Sequence, residues 1–446
     1  MKRTFEVMTA GAALVVGMWV TAPVAHAGAK GTDACVQCHT KVTPGVVGDW
    51  KLSKHSGEGV SCADCHGDAH KSAGDAGKAE MPTADKCAEC HAERLEQYKK
   101  GKHAFGWASM NAMPTIHMQA RQLTEGMKGC GACHKVGLKT AKDIAELKKK
   151  GITHGFNSCD SCHTRHTFSV KEARSPQACR TCHMGFDHAQ WEMYSGSKHG
   201  VRHQLKVEGA LPPTAAAPTC QTCHMQGGDH AVGTGWGFLA VRLPMPDAST
   251  PEGKQWAADR VTILKALGVL DPNGKPTARL DVVKAAKVAT LTQEEFDAQR
   301  KKMLSACTQC HAGSFAQAEL EKTDELIRQA DRLMAQAIDE VVGLYRDGVL
   351  AKPANYASNY PDLLTFHDAP TEIEQRLFVM FLKHRMRVFQ GGFHMNPDYS
   401  LWYGWSAMQQ DLTFIREKAA SMRAEYARAH GKKGKKGKKG KRGRHK

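Results

Sequence analysis

The chain has 446 residues, of which 16 are cysteine and 24 histidine, yet hydrophobic residues make up 41% and aromatics only 7%. Apolar residues recur throughout, which excludes a disordered body, and past residue 27 no run reaches the roughly 20 apolar residues of a membrane-spanning helix. The formal charge of +17 is unevenly placed: residues 431–446 hold ten Lys or Arg and residues 1–27 a net +1, which leaves +6 for the body.

Residues 1–27 read as a secretory signal, with Lys2 and Arg3, an apolar run from Met8 to Val20, and Ala25-His26-Ala27 as the cleavage site. The expectation is a periplasmic protein cleaved after Ala27, with a retained anchor as the alternative. Export makes nucleic acid a poor partner.

Residues 28–231 carry seven copies of Cys-x-x-Cys-His. They are Cys35-Cys38-His39, Cys62-Cys65-His66, Cys87-Cys90-His91, Cys130-Cys133-His134, Cys159-Cys162-His163, Cys179-Cys182-His183 and Cys220-Cys223-His224; an eighth is Cys307-Cys310-His311. Every cysteine falls in the pattern, where chance gives on the order of 0.03 copies, so it reads as a c-type haem attachment signature. Two thioethers would hold each porphyrin while the adjacent His binds iron. Zinc does not require a His directly after each second Cys, and the spacing argues equally against disulfides. Eight covalently bound haems are therefore expected. Seven motifs span 190 residues, about 27 per haem, so porphyrins replace much of the missing core. With ionised propionates, each ferric haem adds roughly −1 and brings the body to about −2.

A low-spin haem needs a second axial ligand. Ser53-Lys54-His55, Gly101-Lys102-His103 and Ser197-Lys198-His199 each follow an aromatic (Trp50, Tyr98, Trp191), and this repetition points to distal ligation by His55, His103 and His199. His70, His166 and His230 lie three to six residues beyond a motif His and are expected to ligate as well. His117, His154, His203, His367, His384 and His394 have no assigned role. If every iron is capped the protein only relays electrons; if one is open it can transform a small molecule.

Residues 209–218 form a Pro/Ala connector, and 232–306 a haem-free insert punctuated by proline, with two or three helices and a short strand near 238–243. Residues 307–430 hold the eighth motif and a long-helix bundle. Capping boxes are expected at Thr292-x-x-Glu295, Ser314-x-x-Gln317 and Thr371-x-x-Glu374. Leu326, Ala330, Leu333, Ala337, Val341 and Leu344 recur at helical spacing. A second long helix near 411–430 is expected to complete an antiparallel bundle, packed within the chain or between subunits. Residues 431–446 read as a flexible basic arm, suited to anionic lipid or an acidic redox partner, or simply solubilising. The fold class is mainly α: a multihaem cytochrome c wrapping with little regular sheet, then the bundle.

Three stretches resemble the octahaem hydroxylamine oxidoreductase family, which includes hydrazine dehydrogenases and reverse-acting nitrite reductases. They are 159–169 at the fifth motif, 179–200 at the sixth, and Cys220 to Met225 with His230 at the seventh. The resemblance implies oxidation of hydroxylamine to nitric oxide or nitrite, or the reverse reduction to ammonia. It also implies an open fourth haem on Cys130, Cys133 and His134, a catalytic pair Asp187-His188, and seven electron-transfer haems. On the residues alone, His188 equally suits ligation of a neighbouring haem with Asp187 orienting it. Oxidising members carry a tyrosine from a neighbouring subunit bonded to the catalytic haem, for which Tyr399 and Tyr403 are the candidates; packing between helices is their plainer reading. A homotrimer, and a soluble cytochrome or membrane quinone-linked partner, are further implied. The competing class is a non-catalytic multihaem wire.

Overall fold

The computed structural model describes residues 32–112, 129–237, 239–280, 287, 289–354, 356, 358–365 and 368–438. His117 and His367, the signal segment and residues 439–446 lie outside them. The described residues are helices and loops without a strand, and a lone bridge joins Leu270 to Pro276. The strand expected near 238–243 is not formed over 239–243. Those residues bond across instead to the approach of the helix Gln293–Cys307, with Thr290 N–H donating to the Val241 carbonyl and Leu291 N–H to that of Arg242.

The haem-rich half is built of short helices whose ends carry the motifs. Ser61 caps Cys62–His66 through a box with Asp64, and Thr219 opens Cys220–His224. The helix Ala84–Lys100 holds the third motif and kinks at His91, while the eighth motif begins at the last residue of Gln293–Cys307. Side-chain core is sparse here, with Trp107, Met110, Leu147 and Phe156 forming one small cluster.

The C-terminal half is a conventional packed core. The helix Gly313–Arg346, about 50 Å long at 1.5 Å per residue, buries Leu320, Ile327, Ala330, Met334, Ala337, Ile338, Val341 and Leu344 along one face. That face meets the insert helix Pro251–Ala266, the segment 372–393 and the last helix Ala407–Lys438. Hydrogen bonds and ion pairs fix the directions. Tyr345 meets Glu374 and Asp331 meets Arg385, so 372–393 runs back along the long helix. Gln336 meets Arg416 and Glu340 meets Arg423, so the last helix runs parallel to it. The two long helices are thus not the antiparallel pair expected; the 372–393 segment supplies the reversal between them. None of the described helices is long and apolar enough to cross a membrane.

The insert is part of this core rather than a separate unit, since Val241, Ile263, Leu264 and Leu267 share one cluster with Met334, Leu377 and Ile415. A buried charge cluster locks it in place. Asp331 is 0% exposed and accepts from Arg385 Nε and Nη2 at 2.9 and 2.7 Å and from Trp256 Nε1 at 2.9 Å. Arg385 also donates to the Leu239 carbonyl at 2.8 Å, and Arg260 to those of Ala240 and Leu243.

Of the three expected capping boxes, Thr292 with Glu295 forms as read. At Thr371 the hydroxyl donates to Glu374 at 2.5 Å, with no return bond to the helix backbone. Ser314 caps nothing, because the helix already starts at Gly313. The last helix continues to Lys438 into the segment expected to be a flexible arm, extending a helix already nucleated by packing.

Removing one member of the charge cluster leaves the others buried without a counter-charge. Asp331→Ala is expected to cost about 3–5 kcal/mol, read as a lowered denaturant midpoint at unchanged slope. The triple change Asp331→Leu, Arg385→Met, Arg260→Met should recover much of that loss; no recovery would show that the ions themselves carry the stability.

Candidate functional site

The haem-rich half encloses a continuous cavity of about 3060 Å³, lined by residues of all eight motifs. An ordinary ligand pocket measures roughly 300–1,000 Å³. Into its wall project His55, His70, His103, His166, His199 and His230 from their loops and short helices, together with His394, Asp187 and His188. Ser53 and Ser197 explain part of this aim. Each N-caps the helix turn that follows, accepting from Ser56 N–H and Gly200 N–H, and so fixes the His two residues on.

Seven motif histidines face a second imidazole across the cavity. The ring centroids are 6.1 Å apart for His39 and His70, 6.2 Å for His66 and His166, and 6.1 Å for His91 and His55. They are 6.3 Å apart for His163 and His230, 5.9 Å for His183 and His103, 6.5 Å for His224 and His394, and 6.1 Å for His311 and His199. Two imidazoles on opposite sides of one metal, each nitrogen about 2.0–2.1 Å from it, place their ring centres about 6.3 Å apart. The residues therefore fit bis-histidine haem. Several rings also have Nδ1 committed to a partner, which leaves Nε2 for the metal. His39 bonds Thr43 at 2.8 Å, His66 the Glu80 carbonyl at 2.7 Å, His70 Asp75 at 2.9 Å and His394 the Gln390 carbonyl at 2.8 Å. Desolvation favours the neutral imidazole that ligation requires, pushing His183 down to about 3 and His224 down to about 4, and lowering His103 and His394 as well.

His394 is the ligand candidate that sequence reasoning missed. It lies far from His224 in the chain, outside the Lys-His repeat, at the end of the helix Met386–Phe393. Counting was the available signal: seven capped motifs need seven distal rings, and only six had been assigned.

The remaining motif histidine, His134 of the fourth motif, differs. Its Nδ1 bonds the Gly106 carbonyl at 2.7 Å, and Gly137 lets the two segments cross, since a Cβ there would fall 1.9 Å from Trp107 N. Among the described residues no second imidazole stands at the 6 Å spacing from it. Asp187 and His188 instead lie within charge range, both acting on His134 and Asp187 also on Cys133. His188 Nδ1 donates to Asp187 at 2.7 Å. His188 also stands 6.0 Å from His183, against 5.9 Å for His103. One metal admits a single ligand opposite His183, and both rings stand at that spacing.

Tyr399 and Tyr403 pack on each other at 5.2 Å, with Arg387 5.6 Å from the Tyr399 ring. Neither lines the cavity, so within one chain they are not brought to Asp187 and His188. The adjoining Trp402 is 64% exposed and Tyr403 54%.

The thiols show how the motifs abut. The Cys87 thiol hydrogen-bonds that of Cys159, Cys133 that of Cys182 and Cys179 that of Cys220, with every cysteine free. Cys35 acts on Cys62, Cys87 on Cys65, Cys179 on Cys162, and Cys307 on Cys223. The motifs form a file in the order one, two, three, five, six, seven, eight, and the fourth joins it at the sixth.

Comparison with known proteins follows this geometry. A family model described as "Seven times multi-haem cytochrome CxxCH" matches residues 58–262 and 236–357. The chain is 26% identical over 481 residues to a "Probable nitrite reductase-hydroxylamine oxidoreductase fusion protein" of Kuenenia stuttgartiensis, covering 88% of this chain and 52% of that protein. It is 28% identical over 161 residues to the "C-type polyheme cytochrome OmcB" of Geobacter sulfurreducens, covering 34% of this chain and 20% of that one. The chain thus spans about half, or less, of the length of these curated relatives. Among solved structures, the "Kuenenia stuttgartiensis reducing HAO-like protein complex Kustc0457/Kustc0458" superposes with TM-score 0.67 at 24% identity, over 90% of this chain and 86% of that one. A "Hypothetical multiheme protein" superposes with TM-score 0.62 at 21% identity, over 90% and 97%.

Replacing His394 by Ala should leave total haem unchanged in a pyridine haemochromogen assay and add one high-spin centre to the electron paramagnetic resonance spectrum. An unaltered low-spin population would remove His394 from the ligand set.

Proposed function

Because this chain belongs to the multihaem cytochrome CxxCH family, which carries covalently bound c-type haem, we propose that it is a periplasmic octahaem oxidoreductase acting on small nitrogen compounds at its fourth motif. The reaction is hydroxylamine oxidation to nitric oxide or nitrite, or reduction of nitrite or hydroxylamine to ammonia. One observation carries the reading: His134 alone among the motif histidines faces no described imidazole at ligand spacing, and a carboxylate–imidazole pair lies beside it instead. The name of the Kuenenia relative, which pairs nitrite reductase with hydroxylamine oxidoreductase, supports the substrate class.

Bound haem supplies electron transfer and, where an axial position is open, a Lewis-acidic metal for substrate. The chain's own groups move the protons. Asp187 accepts the Nδ1 proton of His188 at 2.7 Å, which fixes the tautomer and leaves the Nε2 lone pair as a base. On this reading His103 is the ring that serves His183, and His188 acts with Asp187 beside His134. In the reductive direction the same imidazole returns protons to substrate.

Electrons would pass along the file of motifs to or from a soluble cytochrome or a membrane quinone-linked partner. The exposed strip at Leu401, Trp402 and Tyr403 suits a subunit contact in a homotrimer, through which Tyr399 or Tyr403 would reach a neighbouring copy.

Hydroxylamine or nitrite should perturb a high-spin signal in the resting enzyme; an entirely low-spin spectrum indifferent to both would leave only an electron conduit. Asp187→Asn should slow turnover about 10–100-fold at constant haem content, and unchanged rates would take Asp187 off the proton path. Mass spectrometry of the peptide bearing Tyr399 and Tyr403 separates the directions: a haem adduct indicates the oxidase, an unmodified peptide the reductase.

A further inference from the structure

Asp187 and His188 sit in a short loop between the sixth motif and the helix Gln190–Ser195. Trp191 N–H donates to the His183 carbonyl at 2.9 Å and Gln190 N–H to that of His188 at 2.7 Å, which closes the loop at its base. Gly185 has φ +91°, a left-handed conformation that favours glycine, and its N–H donates to Glu192 Oε1 at 2.9 Å. The side chain between that turn and the pair is Phe186. It does not line the haem cavity, although Asp187 and His188 do.

Phe186 turns to the bundle instead. Its ring stacks on Phe378, with centroids 6.1 Å apart and planes at 18°, and Lys383 Nζ stands 5.8 Å from its centre. Phe378 is 3% exposed and belongs to the main core cluster, against which Phe186 packs. The two residues that hold the ring are five apart in the chain. In an α-helix they would point about 140° from each other, at roughly 100° per residue. Here the segment 372–393 passes through a π turn over Met380–Arg385, and i→i+5 bonding brings residues five apart toward one face. The same segment holds the loop beyond the pair, where Gln390 accepts from Gln190 at 2.9 Å, and Arg385 pins it to Asp331 of the long helix. Asp187 and His188 thus lie between two contacts to one packed element.

We propose that Phe186 is a positioning residue: seated on Phe378 and Lys383, it sets the reach of Asp187 and His188 toward the metal site at His134. The inference rests on the reading of that pair as the proton-moving groups. A base must come within about 2.6–3.2 Å of the proton it takes, and a misplacement of about 1 Å originating far from the chemistry costs roughly 100-fold. A ring anchored in the core fixes such a distance from outside the cavity and without touching substrate.

The test is Phe186→Ala in the holoprotein, alone and combined with Asp187→Asn, assayed with hydroxylamine and with nitrite plus a reduced viologen. Phe186→Ala should lower kcat about 10–100-fold while KM stays within about two-fold, at unchanged haem content. In the Asp187→Asn background the same change should cost nothing further, because the residue acts through the pair. Deuterium uptake by the peptide 184–192 should rise in Phe186→Ala and stay constant elsewhere in the haem-rich half, a readout that needs no turnover. Losses that add in the double variant, an unchanged uptake at 184–192, or a full rate in Phe186→Ala while Asp187→Asn is slow would each overturn the positioning role and leave the pair's role standing. A full rate in Asp187→Asn would overturn the pair's role and the positioning with it. If Phe186→Ala fails to assemble its haem complement, Phe378→Leu, which keeps an apolar side chain in the core but removes the stacked ring, is run through the same cycle with the same overturning outcomes.

Discussion

Two imidazoles held about 6 Å apart, face across from face, are the constraint on which the rest of this molecule depends. Two imidazoles that share one metal need about that spacing, so each of the seven paired motif histidines dictates where a second stretch of chain must pass. The seven facing pairs draw on segments from 31 residues apart, for His39 with His70, to 170 apart, for His224 with His394. Such pairs act as cross-links that form with the cofactor, and they explain how a half with so little side-chain core holds a defined shape.

The C-terminal half has an ordinary core, and its role toward the site is to give a fixed edge. The Asp331 cluster holds the insert against the long helix, and the insert in turn presents Arg242 to the cavity. From the returning segment, Gln390 accepts from Gln190 at 2.9 Å and Asn396 donates to the Met193 carbonyl at 3.0 Å. These bonds flank His394 and join the bundle to the short helix that follows Asp187 and His188. Packing in the bundle therefore bears on the position of groups in the haem-lined half.

Much of this was legible in the residues. Cys-x-x-Cys-His is a covalent requirement, so its positions needed no fold to be read, and the Lys-His repeat marked ring placements because the same local turn recurs. The long helix was plain from the spacing of Leu326 to Leu344. What escaped reading depends on tertiary partners. His394 carries no local signature, since its place is set by a bundle helix end far along the chain. The direction of the last helix could not be foreseen, because periodicity gives a buried face without saying which way its neighbour runs. Residues 239–243 are apolar enough for a strand, but Arg260 and Arg385 occupy their carbonyls and no second strand is offered. The tyrosines stayed ambiguous for a related reason: they lie outside the cavity, so nothing within one chain chooses between packing and a contact with a second copy.

The order of the abutting thiols has one more consequence. Because the fourth motif meets the file at the sixth, away from either end, the line branches there. On the proposed reading, charge from the fourth motif enters the file at that junction, and the two arms beyond it serve as reservoirs. A reaction that moves several charges in one turnover can then fill or drain both arms at once, and need not wait for a distant acceptor to clear each charge in turn.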